Sequence, residues 1–143
     1  MKIDLVPVSQ LMSVVPALLP YLEESSKWSR GRALVTDIVR FLLNGQMHLW
    51  AVHDGQGHAF GHVIAEVKQY PQCTMLTVQY CAGKPHHMQF VEDEMFKVLE
   101  DAAKRAGCAG IEFVGRPGWR KTAEGHGFEV QSVMYQKFFE VTK

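Results

Sequence analysis

The sequence has no surplus of charge. Its 143 residues carry 15 Lys plus Arg against 15 Asp plus Glu, so the formal net charge is zero with neutral His. That excludes a nucleic-acid binder held by bulk charge and leaves only local basic patches to consider. No apolar run reaches the ~18 residues needed to span a bilayer. Met1-Lys2-Ile3-Asp4 sets one Lys against an acid, and the apolar stretch Leu11 to Leu22 contains Pro16 and Pro20; both features argue against a secretion signal. Cys73, Cys81 and Cys108 are odd in number and show no CxxC spacing, which fits a reducing compartment better than a disulfide framework. Repeats, low-complexity tracts and Ser/Gly-rich linkers are missing too. The expectation is a cytoplasmic protein with one domain over 1–143, whose 47% hydrophobic residues form a core without disulfide or metal.

Hydrophobic periodicity orders the chain. Lys2 to Val8 alternates as a short strand. Ser9 is placed to cap a helix through Leu11, Val14, Val15, Leu18, Leu19 and Leu22, which Pro16 should bend or interrupt. Glu23 to Arg32 is polar and reads as a loop. Ala33 to Leu43 is helical and stops at Asn44-Gly45. The period then changes to two. Met47–His53, His58–Tyr70 and Cys73–Ala82 read as a three-strand meander, with Asp54-Gly55-Gln56-Gly57 as its first turn. Gly83-Lys84-Pro85 breaks the third strand. Met88, Val91, Met95, Val98, Leu99, Ala102 and Ala106 then mark a helix, with Glu92, Asp93 and Glu94 near its start and Lys104 and Arg105 at its end, as the helix dipole favours. Ile111–Val114 follows as a strand parallel to Cys73–Ala82, since a helical crossover joins them. A short helix spans Gly118–Glu124, and Phe128–Phe139 is expected to be a final strand or a bent pair of strands. The whole is an α/β domain: a central mixed antiparallel and parallel sheet with helices on both faces.

That order, with the residues that end it, resembles the GNAT superfamily of N-acetyltransferases. The residues that carry the resemblance are Cys81-Ala82-Gly83 leading into the amphipathic helix, the run Ile111-Glu112-Phe113-Val114-Gly115-Arg116-Pro117-Gly118-Trp119-Arg120-Lys121, and Gly127-Phe128. The chain is similar in particular to small phage-encoded GNAT-like proteins that carry a Gly-Arg-x-Gly-Trp turn. The resemblance implies a sheet that opens between the Cys73–Ala82 and Ile111–Val114 strands, with acetyl-CoA as acyl-donor substrate in the opening. It puts the pantetheine arm along the backbone of Gln79, Tyr80 and Cys81. The pyrophosphate would lie at Ala82, Gly83, Lys84, Pro85, His86 and His87, by the helix start. The physical basis is general: helix N-termini attract anions, and ligands gather at the carboxyl ends of parallel strands. The chain departs from the family loop in having Gly83 as its only glycine and Pro85 without an N–H. It has Ala123 where the family often has a general-acid Tyr; Tyr135, on the expected last strand, is present but is not the matching residue.

Acyl transfer to an amine needs a proton acceptor and an N–H donor for the thioester oxyanion. Glu66, an acid among apolar neighbours in a strand, is the candidate base, and Tyr135 is the other candidate catalytic side chain. Lys84, His86, His87 and Arg116 are candidates for the donor's phosphates, Arg116 because Pro117-Gly118 hold it at the carboxyl end of a strand. His48, His53, His58 and His62 gather around one hairpin. His58 and His62 lie ~13 Å apart along a strand, too far for one metal ion, and no Cys or carboxylate stands at ligand spacing. Solvated turn histidines and no metal are expected.

Two functions follow from different classes. One is an N-acyltransferase that acts on an amine of a small molecule or a protein. The other is a GNAT-fold phage component that has lost catalysis and contacts virion proteins, in the host cytoplasm or the virion. Neither calls for a membrane or a nucleic acid. The apolar stretch Val133-Met134-Tyr135 would offer an edge to a second copy if it lies at the border of the sheet.

Overall fold

The structure is a computed structural model and describes residues 1–139. By its internal contacts the chain forms two compact units, the first Met1–Phe113 and the second beginning at Val114. The first unit holds a five-strand sheet in the order β1-β2-β3-β4-β5. Its strands are β1 (Lys2–Leu5), β2 (His48–His53), β3 (Ala59–Gln69), β4 (Thr74–Gly83) and β5 (Gly110–Phe113). The first four pair antiparallel with their neighbours, and β5 runs parallel to β4. Three helices complete the unit: α1 (Leu11–Trp28), α2 (Val35–Leu43) and α3 (Glu92–Arg105). The β4–α3–β5 crossover is the expected parallel unit.

One face of the sheet packs on α1 and α2. Leu11, Leu18 and Leu22 of α1 and Ile38 and Leu42 of α2 form one buried cluster with Leu49, Ala51 and Ile64 of the strands. The opposite face is covered by α3, whose Met95, Phe96, Leu99 and Ala103 are buried. Among the described residues no helix is long and apolar enough to cross a membrane.

Several local expectations are corrected. Gln10 rather than Ser9 precedes α1, and no side chain caps it; a 3-10 turn over Val8–Gln10 leads in instead. The helix continues without a break past Pro16 and Pro20 to Trp28, so most of the expected loop Glu23–Arg32 is helical. Both prolines are exposed, so the carbonyls that lose an N–H partner can turn to water. The loop that remains, 29–34, is tied by Ser29 Oγ, which accepts from Ala33 N–H at 3.0 Å. At the other helix the first turn separates: Met88–Val91 is a 3-10 segment and α3 starts at Glu92.

In the second unit a 3-10 turn (Pro117–Trp119) precedes α4 (Arg120–Gly125). The strand expected over Phe128–Phe139 is absent there. Its apolar positions 128, 130, 133, 134, 135, 138 and 139 keep no period of two, so no single face can be buried, and among the described residues of that unit no strand offers a ladder partner.

Candidate functional site

The site begins with a count of residues. Along β3 and β4, Ile64 faces Tyr80, but the next residue, Ala65, faces Val78. Gln79 is therefore an extra residue, a β-bulge in β4. A bulge bends its strand and raises its twist. On the other side of β4, pairing with β5 covers Met75 to Val78 and ends there. From Gln79 to Gly83 the strand continues its ladder with β3, beyond the last pair with β5. All four residues of β5 pair below that point, so the stretch Gln79, Tyr80, Cys81, Ala82 and Gly83 of β4 extends beyond the end of β5.

A row of polar side chains leads up to the bulge. Register sets Glu66 of β3 opposite Thr77 of β4, and Thr77 opposite Glu112 of β5. Directly opposite residues share a face, here the face of α1 and α2. The Glu66 carboxylate is half-buried and accepts from Gln79 Nε2 at 2.6 Å and, more weakly, from Gln46 Nε2 at 3.5 Å. The bulge residue thus links the candidate base to that stretch of β4. Glu112 Oε1 accepts from Thr77 Oγ1 at 2.8 Å and from the Tyr70 hydroxyl at 2.5 Å. That carboxylate holds the Tyr70 phenol above the ordinary tyrosine range, because loss of the proton would set two anions together. Tyr80 is also raised, first by burial and then by the Glu66 and Asp37 charges. Glu112 did not stand out in the sequence, although an acid between Ile111 and Phe113 is the signal that marked Glu66.

The connection from β4 to α3 is built differently. Lys84 N–H donates to Phe60 O at 2.7 Å, His87 N–H to Lys84 O at 3.1 Å and Phe90 N–H to His87 O at 3.2 Å. Pro85 has no N–H. His86 sits at φ +66°, in the left-handed region. The His87 ring stacks on Phe60 with centroids 5.0 Å apart, and Lys84 Nζ lies 5.7 Å from the same ring centroid. Gly83 and Gly61 are needed for packing. A Cβ on Gly61 would stand 2.6 Å from Ala82 O and 2.8 Å from Met88 Sδ, and one on Gly83 would run into the Met88 side chain. Met88 fills the space that a bare glycine leaves open.

The remaining candidates belong to the second unit or differ from expectation. Arg116 precedes the 3-10 turn of the second unit. Tyr135, in the same unit, is 91% exposed and stands in no strand. His62 is not a solvated turn histidine. It is fully buried, shares a 3.0 Å hydrogen bond from Nε2 with Ser25 Oγ of α1, and has no partner for Nδ1 among the described residues. Burial alone lowers its pKa to about 4. His53 and His58 do sit at the hairpin, bonded to Asp4 at 2.6 Å and Asp54 at 2.8 Å. Among the described residues no three His, Cys, Asp or Glu side chains are grouped to hold a metal ion.

No family model matches the sequence. No curated protein matches it either. Solved structures do. The ribosomal-protein-alanine N-acetyltransferase of Brucella melitensis superposes with a TM-score of 0.69 at 16% identity, over 97% of this chain and 100% of that one. Glucosamine-6-phosphate N-acetyltransferase of Arabidopsis thaliana gives 0.68 at 12%, over 97% and 98%. A GCN5-related N-acetyltransferase of Ralstonia eutropha gives 0.68 at 13%, over 96% and 97%. At such identities the likeness establishes the fold. The chain has the GNAT fold, with a mixed five-strand sheet between helices.

Proposed function

We propose that this chain is an N-acyltransferase that moves an acyl group from a pantetheine thioester, acetyl-CoA in the simplest case, to a primary amine. The observation that carries the reading is the hydrogen bond between Gln79 and Glu66, which sets a carboxylate beside the stretch of β4 that runs beyond its ladder with β5. The amides of the donor's pantetheine arm would pair with the backbone of Gln79, Tyr80 and Cys81. The amine would enter from the face of Glu66, Thr77 and Glu112, where two carboxylates attract an ammonium group.

Glu66 takes a proton from the ammonium, which frees the nitrogen lone pair. The nitrogen attacks the thioester carbonyl carbon, forming the C–N bond, and a backbone N–H of the β4 stretch stabilises the oxyanion. The C–S bond then breaks. The thiolate leaves with its electron pair and takes the second proton given up by the nitrogen. Lys84, His86 and His87 follow that stretch directly and are the groups nearest in sequence to meet the donor's phosphate; Arg116 and Tyr135 are assigned no step.

The test is release of free thiol from acetyl-CoA over a panel of amines. Wild type should release thiol with at least one amine, and Glu66→Gln should slow that release by ~10²–10⁴-fold. A protein that binds the thioester yet releases no thiol with any amine fits the alternative reading, an interaction component that has lost catalysis.

A further inference from the structure

Two cysteines far apart in the sequence come level where β4 and β5 begin. The turn before β4 closes with Tyr70 N–H donating to Cys73 O at 2.8 Å. The turn after α3 closes with Cys108 N–H donating to Ala103 O at 2.9 Å. One further bond joins the two turns: Ala109 N–H donates to Thr74 O at 2.8 Å, just ahead of the first register pair, Met75 and Gly110. Each cysteine is the residue directly before a partner of that bond. Neighbouring strands lie about 4.8 Å apart, so the bond holds the two Cα atoms roughly 5–7 Å from each other, the span that a disulfide bridges. Both thiols are free, Cys73 exposed and Cys108 half-buried. Cys81 stands further up β4, roughly 25 Å from Cys73 along the strand, and is out of reach of either.

We infer that Cys73 and Cys108 form a thiol–disulfide exchange site, which a small aliphatic disulfide such as glutathione disulfide oxidises to a bridge within the chain. The exposed Cys73 thiolate attacks one sulfur of the oxidant. A mixed disulfide forms, and the first thiolate leaves with the electron pair of the broken S–S bond. The Cys108 thiolate then attacks the Cys73 sulfur and expels the second thiolate. Two electrons and two protons pass from the cysteine pair to the oxidant, which ends as two thiols. The bridge closes a ring over residues 73–108 that contains all of β4 and α3. A ring of that length removes chain entropy from the unfolded state, so the oxidised form is the more stable one. Such a pair suits a reducing compartment, where disulfides are transient and answer to redox state. The inference is independent of the acyltransferase reading.

The test exposes the full chain, dilute and without denaturant, to excess glutathione disulfide, followed by alkylation and peptide mapping by mass spectrometry. The expected result is a peptide pair joined through Cys73 and Cys108, with Cys81 alkylated. Dithiothreitol should reverse it. The bridged chain should melt ~5 °C or more above the reduced one. Cys108→Ser should stop at a glutathione adduct on Cys73, and Cys81→Ser should bridge as wild type does. Wild type that forms no bridge, with or without glutathione on Cys73, overturns the inference. So does a bridge to Cys81 or a disulfide between two chains. A bridge that leaves the melting temperature unchanged or lower overturns it too, because the folded chain then does not hold the pair at bridging distance.

Discussion

Toward α3 the sheet presents Trp50, Val52, Val63, Ala65 and Leu76, all buried, and no polar side chain is fully buried with them. Toward α1 and α2 the same strands present Leu49, Ala51 and Ile64, but also His62, Glu66 and Thr77, each bonded to a side chain on another element. The first face is held by burial alone, worth roughly 1.5–3 kcal/mol for each large side chain. The second exchanges part of that gain for hydrogen bonds that add only about 1 kcal/mol each, and for the risk of an unpaired buried atom. Among these strands the side-chain hydrogen bonds of His62, Glu66 and Thr77 lie on one side of the sheet, and the stretch of β4 beyond Val78 borders it.

The contrast can be broken most strongly from the apolar side. Leu99→Ala in α3, at a residue 1% exposed, should cost ~2–5 kcal/mol in urea unfolding, by the same amount at pH 4.5 and pH 7.5. The polar side should respond to pH instead. His62 has a pKa of about 4 when folded against 6.5 when unfolded, so between these values the unfolded chain binds the extra proton. Stability is complete above pH ~6.5 and falls by ~3 kcal/mol as the pH drops toward 4. His62→Leu should flatten that slope in a series of unfolding curves; an unchanged slope would mean that another group sets it. The smallest effect is expected at Thr77→Val, which removes one of two donors to Glu112 Oε1. It should cost ~0.5–1.5 kcal/mol, and little more once Glu112 is also replaced by Ala.

Periodicity made most of this fold readable before any coordinates. The meander, the parallel crossover and α2 with its stop at Asn44-Gly45 fall where their apolar positions put them. What failed has local physical causes. Pro16 and Pro20 break a helix only where the lost hydrogen bond cannot be replaced, and here they face water. Met88 carries the helical spacing of α3, yet it packs over Gly61 and Gly83, within a 3-10 turn. His62 lies in a strand among four histidines, and composition alone could not tell the buried one from the solvated ones. Of the site, Glu66 and the stretch Gln79–Cys81 were legible as positions. The bond between Glu66 and Gln79 was not, because it depends on a register shift that leaves no mark on the alternation of either strand.

That shift has a consequence for how the bend in β4 could have arisen and how it could be lost. If Gln79 were deleted, Val78 would still face Ala65 and Tyr80 would still face Ile64, so every apolar pair would keep its partner and its side. The core would not register the event. What would go is the surplus length that bends β4 away from its parallel neighbour, together with the amide that reaches Glu66. That bend and that amide therefore rest on a single in-frame codon, at a position where the packing exerts no veto.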